Sequence, residues 1–376
     1  MARCRFGDVV KEIKNNIDRE NNPYDYYIAG GHMDSEELHI HRRGSFKTDD
    51  VGPAFIREFK KGQVLYGSRR TYLKKVAVAD FDGVTANTTF VLETKDEDVL
   101  LQSILPFVML SDSFTEWSIG KSKGSTNPYV LFSDLADYEF ELPPLEKQRT
   151  LAKLLWEIDS TKCSYKDLID KTDEVVKSQF IEMFGDPVIN DRGWPKKSLK
   201  EVAPEYSPTL PEADLYWWLN LDMIETYSGR LLEKVMAASE EIGNSTSTFD
   251  ESMVLYSKLR PYLNKVFVPD DRGYATTELV GMKPDSKILN KYFLFNLLRG
   301  DQFVAYANGL SSGGQMPRIP MKALRDFKCI LPPIDLQEQF VEISKQSDKS
   351  KFELQYVKRN VKEMIKCSQK KIQLNR

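Results

Sequence analysis

The sequence aligns with itself at an offset of 189 to 190 residues. VLYGSRRTYLKKVAV (Val64–Val78) lies over VLYSKLRPYLNKVFV (Val254–Val268), with nine of fifteen positions identical. Upstream, VVKEIK (Val9–Lys14) lies over SLKEVA (Ser198–Ala203). Downstream, GKSKGSTNPYVLFSDLADYEFELPP lies over GLSSGGQMPRIPMKALRDFKCILPP, which matches Gly120 with Gly309, Ser122 with Ser311, Gly124 with Gly313, Pro128 with Pro317, Leu135 with Leu324 and Asp137 with Asp326. Solenoids repeat every ~20–50 residues, so this far longer period marks a duplicated domain.

Each copy ends on a double proline, in ELPPLEKQRT (Glu141–Thr150) and ILPPIDLQEQ (Ile330–Gln339), and a long charged run follows. Proline suits the first turn of a helix and not its interior. In the first run a 3-4 pattern passes through Leu151, Leu154, Ile158, Tyr165, Leu168, Val175 and Gln179. In the second it passes through Phe340, Ile343, Ser347, Ser350, Leu354, Val357, Val361 and Met364, as in a coiled-coil seam. FGDP after the first run supplies a glycine cap and a proline stop near Phe184. Each run predicts a helix of about 40 residues, about 60 Å long.

The units between the helices read as mixed α and β. VLYGSRRTYLKKVAVA and its counterpart alternate as strands do, LLQSILPFVML and KYFLFNLLRGDQFVAYA read as helices, and SKGSTNP and SSGGQMP as glycine–serine turns. The fold class is therefore α+β: two similar units, 1–142 and 186–331, each followed by a long helix, 143–185 and 332–376. An apolar stripe needs something to pack on, and the simplest partner for each helix is the other. Antiparallel pairing would place one unit at each end of a spacer and give one chain an approximate two-fold axis.

Bulk composition narrows the function. The hydrophobic fraction is 41% and the charged fraction 29%, ordinary for a globular protein. No apolar run reaches the ~18–20 residues that span a bilayer, and MARCRFGDVVKEIK lacks the apolar core of a secretory signal, so a cytoplasmic location is expected. Cys4, Cys163, Cys329 and Cys367 form no CxxC pair, which argues against a disulfide framework or a zinc site. Net charge is −3, which counts against a protein that coats polyanions and leaves room only for local basic surfaces. From Pro333 onward ten Lys and Arg face six Asp and Glu, as on a solvated helix face or a surface beside DNA.

Catalytic signals are weak. No GxxxxGK[ST] loop is present. NNPY (Asn21–Tyr24) and TNPY (Thr126–Tyr129) lack the second proline of the adenine-methyltransferase signature. Asp82, Glu93 and Lys95 have a nuclease-like spacing without a counterpart in the second unit. His32, His39 and His41 crowd together, which an edge strand explains as well as a metal site.

Two similar units related by a two-fold suit a ligand with a two-fold and a repeat length. B-DNA is such a ligand, presenting the same face about every 34 Å. The sequence also resembles the specificity (S) subunits of type I restriction–modification systems. The resemblance rests on LPPLEKQ and LPPIDLQEQ heading the helices, FIEMFGDPVINDRGW (Phe180–Trp194) before the second unit, and the glycine–serine stretch before each double proline. It implies two target-recognition domains, an antiparallel coiled coil of the long helices, and a non-catalytic chain that reads a bipartite double-stranded DNA target with an unspecified gap. It implies as partners two methyltransferase subunits that modify adenine, and nuclease/translocase subunits. S-adenosylmethionine, ATP and magnesium would belong to those partners, and this chain would hold no cofactor.

Two duplicated segments carry the candidate DNA contacts. The first comprises Arg69, Arg70, Tyr72 and Lys75, with Lys258, Arg260, Tyr262 and Lys265 in the second unit. Arginine and lysine contact phosphates or guanine edges, and tyrosine offers a hydroxyl and a flat face. Repeated tyrosines are equally expected of a repeated core. The second comprises Lys121, Lys123 and Ser125, with Ser312, Gln315 and Arg318, on glycine turns that let backbone amides approach phosphates. Gln315 can pair with adenine and Arg318 with guanine. HRRGSFK (His41–Lys47) is a third basic turn, without a counterpart. Two other classes stay open: a self-contained restriction–methylation enzyme, for which the chain has no spare length, and a coiled-coil scaffold whose repeated units bind something other than DNA.

Overall fold

The computed structural model describes residues 2–243 and 245–349. The seam positions Ser350, Leu354, Val357, Val361 and Met364, and most of the 332–376 segment, lie outside the described residues. Contacts divide the chain into two compact units, one within Met1–Lys166 and one within Asp167–Gln355.

In the first unit the opening strand Ala2–Arg5 pairs antiparallel with the closing strand Glu139–Leu142, so the unit is tied shut just before Pro143. One sheet runs in the order Val10–Ile13, Thr89–Thr94, Val64–Gly67, Val76–Val78. A second runs Gly44–Ser45, Tyr26–Ile28, Gly83–Ala86, Phe55–Phe59, and its two central strands are parallel. Phe6, Val64, Tyr66, Leu92, Leu105 and Phe114 form the main core, under helices Leu105–Met109 and Asp112–Gly120.

The second unit repeats this plan. Lys196–Ser198 pairs with Lys328–Ile330, again just before a double proline. Val254–Ser257 lies between Val266–Phe267 and Leu279–Met282. The other sheet runs Val235–Ala237, Tyr216–Leu219, Gly273–Thr276, Thr246–Phe249, with the same parallel central pair. Helices Lys291–Arg299 and Asp301–Leu310, which break at Gly300, cover a core that includes Tyr256, Phe293 and Phe303.

VLYGSRRTYLKKVAV, read as strand-forming, holds two strands, Val64–Gly67 and Val76–Val78, separated by a 3-10 turn, Thr71–Leu73.

The first long helix spans Leu145–Phe184. Gly185 caps it at φ +72°, its N–H donating to the Ile181 carbonyl at 2.8 Å. Its buried face agrees with the predicted seam at Leu151 and Ile158 and departs from it elsewhere. Leu151, Ala152 and Leu155 join the first unit's core, and Val176, Phe180 and Phe184 join the second's, whereas Leu154, Leu168 and Val175 are exposed. The i, i+4 ladder of Val176, Phe180 and Phe184 meets Phe293 and Phe340, with ring centroids between 4.9 and 5.6 Å apart. A second helix covers 334–349 and buries Gln337, Phe340, Val341 and Ser344.

Candidate nucleic-acid interface

Each unit builds the same backbone frame from two segments about fifty residues apart. After the central strand the chain turns through Arg70, held left-handed at φ 51° and ψ 56°, into the 3-10 turn and out through Lys74 at φ 47°. The second unit does the same through Arg260 (φ 50°, ψ 65°) and Asn264 (φ 47°). Non-glycine residues occupy this region at a cost of about 1–2 kcal/mol, so the surrounding bonds must hold them there. They do: the Arg70 N–H donates to the Pro128 carbonyl and the Arg260 N–H to the Pro317 carbonyl, both at 2.7 Å.

The glycine loops are closed by reciprocal pairs. Lys123 and Tyr129 exchange backbone bonds at 2.8 and 2.9 Å, and Ser312 and Arg318 at 3.1 and 2.8 Å. Val130 N–H then donates to Ser68 (3.0 Å) and Ile319 N–H to Lys258 (3.1 Å). Gly124 (φ +88°) and Gly313 (φ +118°) make the turns; a Cβ at Gly313 would sit 3.0 Å from the Met316 carbonyl. The structure thus brings the two predicted segments together at one surface in each unit, with Lys75 and Lys265 turned into the frame.

The side chains on that surface divide into open and engaged groups. Arg69, Arg70, Ser125, Ser312 and Gln315 are exposed. Tyr72 is 54% exposed and Tyr262 43%, so neither is a core residue. Lys121 lies over the Trp117 ring at 4.8 Å. Lys123 pairs with Asp134 at 2.9 Å, and that contact holds the Asp134 carboxyl below its usual range. Lys258 and Arg260 are half-buried. Arg260 Nη2 donates to the Gln315 carbonyl at 3.3 Å, while its buried Nε has no hydrogen-bond partner. Arg318 faces Glu278 at 3.0 Å. Lys75 and Lys265 are spent inside the frame: their ammonium groups donate to the carbonyls of Gly30 and Leu221, the latter at 2.6 Å.

Sequence reasoning missed Tyr129 and Glu278. Tyr129, 42% exposed, aligns with Arg318 across the repeat, a signal that was available. Glu278 carries no sequence signal, since its contact with Arg318 bridges 40 positions.

The remaining polar signals are engaged elsewhere. In HRRGSFK, Arg43 stacks on Tyr26 (3.7 Å to the ring centroid), Arg42 pairs with Asp34 and Lys47 pairs with Asp25 at 2.8 Å. Asp82 accepts from Lys61 N–H, Glu93 from Gln63, and Lys95 donates to the Gly7 carbonyl. The three histidines do not converge: His32 packs on Tyr27, whereas His39 reaches Asp159 at 2.9 Å. Potential ligand atoms of His39, Asp159 and Cys163 lie within 4.8 Å of one another. The Lys162 ammonium already sits 2.8 Å from Asp159 and 3.4 Å from Glu37, and burial pushes the Cys163 thiol up to about 11, so the cluster is an ion-pair network.

Comparison with known proteins bears on this geometry. A family model described as the type I restriction modification DNA specificity domain matches residues 5–171 and again 192–363. The EcoDI specificity subunit of Escherichia coli is 22% identical over 58% of this chain, which spans 57% of that relative's length. The MjaVIII specificity subunit of Methanocaldococcus jannaschii is 23% identical over 77% of this chain and 72% of its own. Among solved structures, the S subunit of a type I system from M. genitalium superposes with a TM-score of 0.56 at 13% identity, covering 100% of this chain and 96% of that one. A chain from work on the assembly and conformational transition of a type I system gives 0.51 at 19% identity, covering 99% and 97%. These two structures share the fold.

Proposed function

The chain belongs to the type I restriction modification DNA specificity family, and on that premise we propose that it is the DNA-recognition subunit of a type I restriction–modification complex. It does no catalysis. Each unit reads one half of a split double-stranded DNA target, and the half-sites are separated by a gap of unspecified sequence. Two methyltransferase subunits, aimed by this chain, modify adenine; nuclease/translocase subunits cut. S-adenosylmethionine, ATP and magnesium are held by those partners and not by this chain. The two long helices pair antiparallel as a coiled coil and set the gap, a reading supported by the length of Leu145–Phe184 and by the family to which the chain belongs. Among the described residues no helix is long and apolar enough to cross a membrane; the cytoplasm, where the DNA is, is the proposed location.

The observation that carries the proposal is the frame built twice, Arg70 with Pro128 and Arg260 with Pro317. In both copies a basic residue is held left-handed beside an exposed tyrosine and a glycine turn. Strained backbone of this kind concentrates at binding sites. Selection of bound DNA from a random-sequence library by the chain assembled with its methyltransferase subunits tests it. Enrichment of a split motif is expected; retention of all sequences alike would refute sequence recognition and favour a scaffold.

A further inference from the structure

The two frames are alike in backbone and unlike in side chain at one position. Tyr129 and Thr88 of the first unit align with Arg318 and Glu278 of the second, at offsets of 189 and 190. Thr88 and Glu278 even share a backbone role, their carbonyls accepting the N–H of Ser68 and Lys258, both at 3.0 Å. The Glu278 carboxylate takes Arg318 Nε at 3.2 and 3.3 Å and Nη2 at 3.0 Å, a side-on grip. Nη1 donates to the Met316 carbonyl at 3.3 Å. Each terminal nitrogen keeps a second N–H, so the outer edge of the fork remains free.

A guanidinium balanced by its own carboxylate is poorly suited to phosphates, where affinity comes from uncompensated positive charge. It is well suited to directional recognition, because the carboxylate and the loop carbonyl fix the plane of the fork. Two parallel N–H donors in a fixed plane match guanine O6 and N7 in the major groove. We propose that Arg318 is the specificity-determining residue that selects a guanine in the half-site read by the second unit, with Glu278 as the positioning residue that sets its plane. The inference rests on the proposed function, and it adds that the two half-sites are read by different chemistry, because Tyr129 and Thr88 provide no such fork.

The test is a map of N6-methyladenine in cells carrying the native complex, or the same complex with R318A, R318Q or E278Q. The native chain should yield a bipartite motif with a guanine in one half. With R318A or R318Q that position should become degenerate or change base, its discrimination falling roughly ten- to a hundredfold, while the other half stays intact. E278Q should lower discrimination at the same position and no other. A motif unchanged by R318A and R318Q overturns the inference, as does uniform loss of methylation, which would mark a phosphate contact or a structural ion pair. Should R318A not accumulate, R318Q, which can still hydrogen-bond Glu278, decides. If the native chain itself gives no motif, the proposed function fails and not only this assignment.

Discussion

Arg70 and Arg260 spend backbone energy to hold their side chains on the surface, and this makes two effects separable. Glycine relieves a left-handed residue and alanine does not. R70G and R260G should therefore unfold at denaturant concentrations above those of R70A and R260A, by about 1 kcal/mol in unfolding free energy, while all four lose ~1–3 kcal/mol of DNA affinity in the assembled complex. Equal stabilities within each pair would mean that the strain is not real. Tyr72 and Tyr262 separate the two roles differently. Being exposed, each should tolerate alanine with a stability change within about 0.5 kcal/mol, yet weaken DNA binding; urea melts and binding titrations check both. The repeat made these tyrosines legible as important but not as exposed, since duplication preserves core and contact residues alike. Glu278 stayed invisible because its meaning lies in a partner distant in sequence.

At the scale of elements, the double prolines acquire a physical role from the glutamine in the first turn of each helix. Gln148 is buried; its amide donates to the Pro143 and Val99 carbonyls at 2.9 and 2.8 Å and accepts from Leu101 N–H at 3.0 Å. Gln337 repeats this with Pro332, Ile288 and Asn290 at 2.8, 3.0 and 2.9 Å. Each glutamine thus ties the first turn of its helix to the unit it leaves. Q148A or Q337A strands buried backbone groups and should cost about 1–3 kcal/mol per unsatisfied group, measured by urea denaturation; a loss below 0.5 kcal/mol would contradict this. The helices were legible from proline, periodicity and glycine cap, but the packing face was not, because Leu154, Leu168 and Val175 satisfy a 3-4 pattern without being buried. Polar groups take part in the burial instead. Asp159 and Lys162 are buried and joined by His39 and Glu37. The hydrogen bond to Asp159 raises the His39 pKa above 6.5, against its partial burial. Burial pushes Asp159 up, but His39 and Lys162 outweigh it and hold the carboxyl below 3.8. The His39 contribution is present in full below pH 6.5 and fades as pH rises through its elevated pKa; the Asp159 contribution is present above pH 3.8 and fades as pH falls through its depressed one. A thermal-melting profile should therefore decline on the alkaline side of pH 6.5 in the native chain and lose that step in H39Q. An identical profile would show that the pair contributes nothing.

For the whole molecule, the claim that matters is that one chain carries two readers of one split target. The duplication was legible because nine of fifteen residues survive in its best-preserved segment, and the family because its helix-heading motifs sit where the copies end. Base preference was not legible, since it depends on which side chains reach a groove, and the two units differ there: Arg69, Lys123 and Tyr129 in one, Leu259, Ser312 and Arg318 in the other. The net charge of −3 counts against uniform coating of a polyanion and leaves recognition to local basic surfaces. The most direct measurement is a genome-wide map of N6-methyladenine in cells that carry the partner methyltransferase, with this gene intact or deleted. The account predicts that one bipartite motif, and no other, loses its mark when the gene is removed. An unchanged methylation map, with the partner methyltransferase still marking its motif in the absence of this chain, would contradict it.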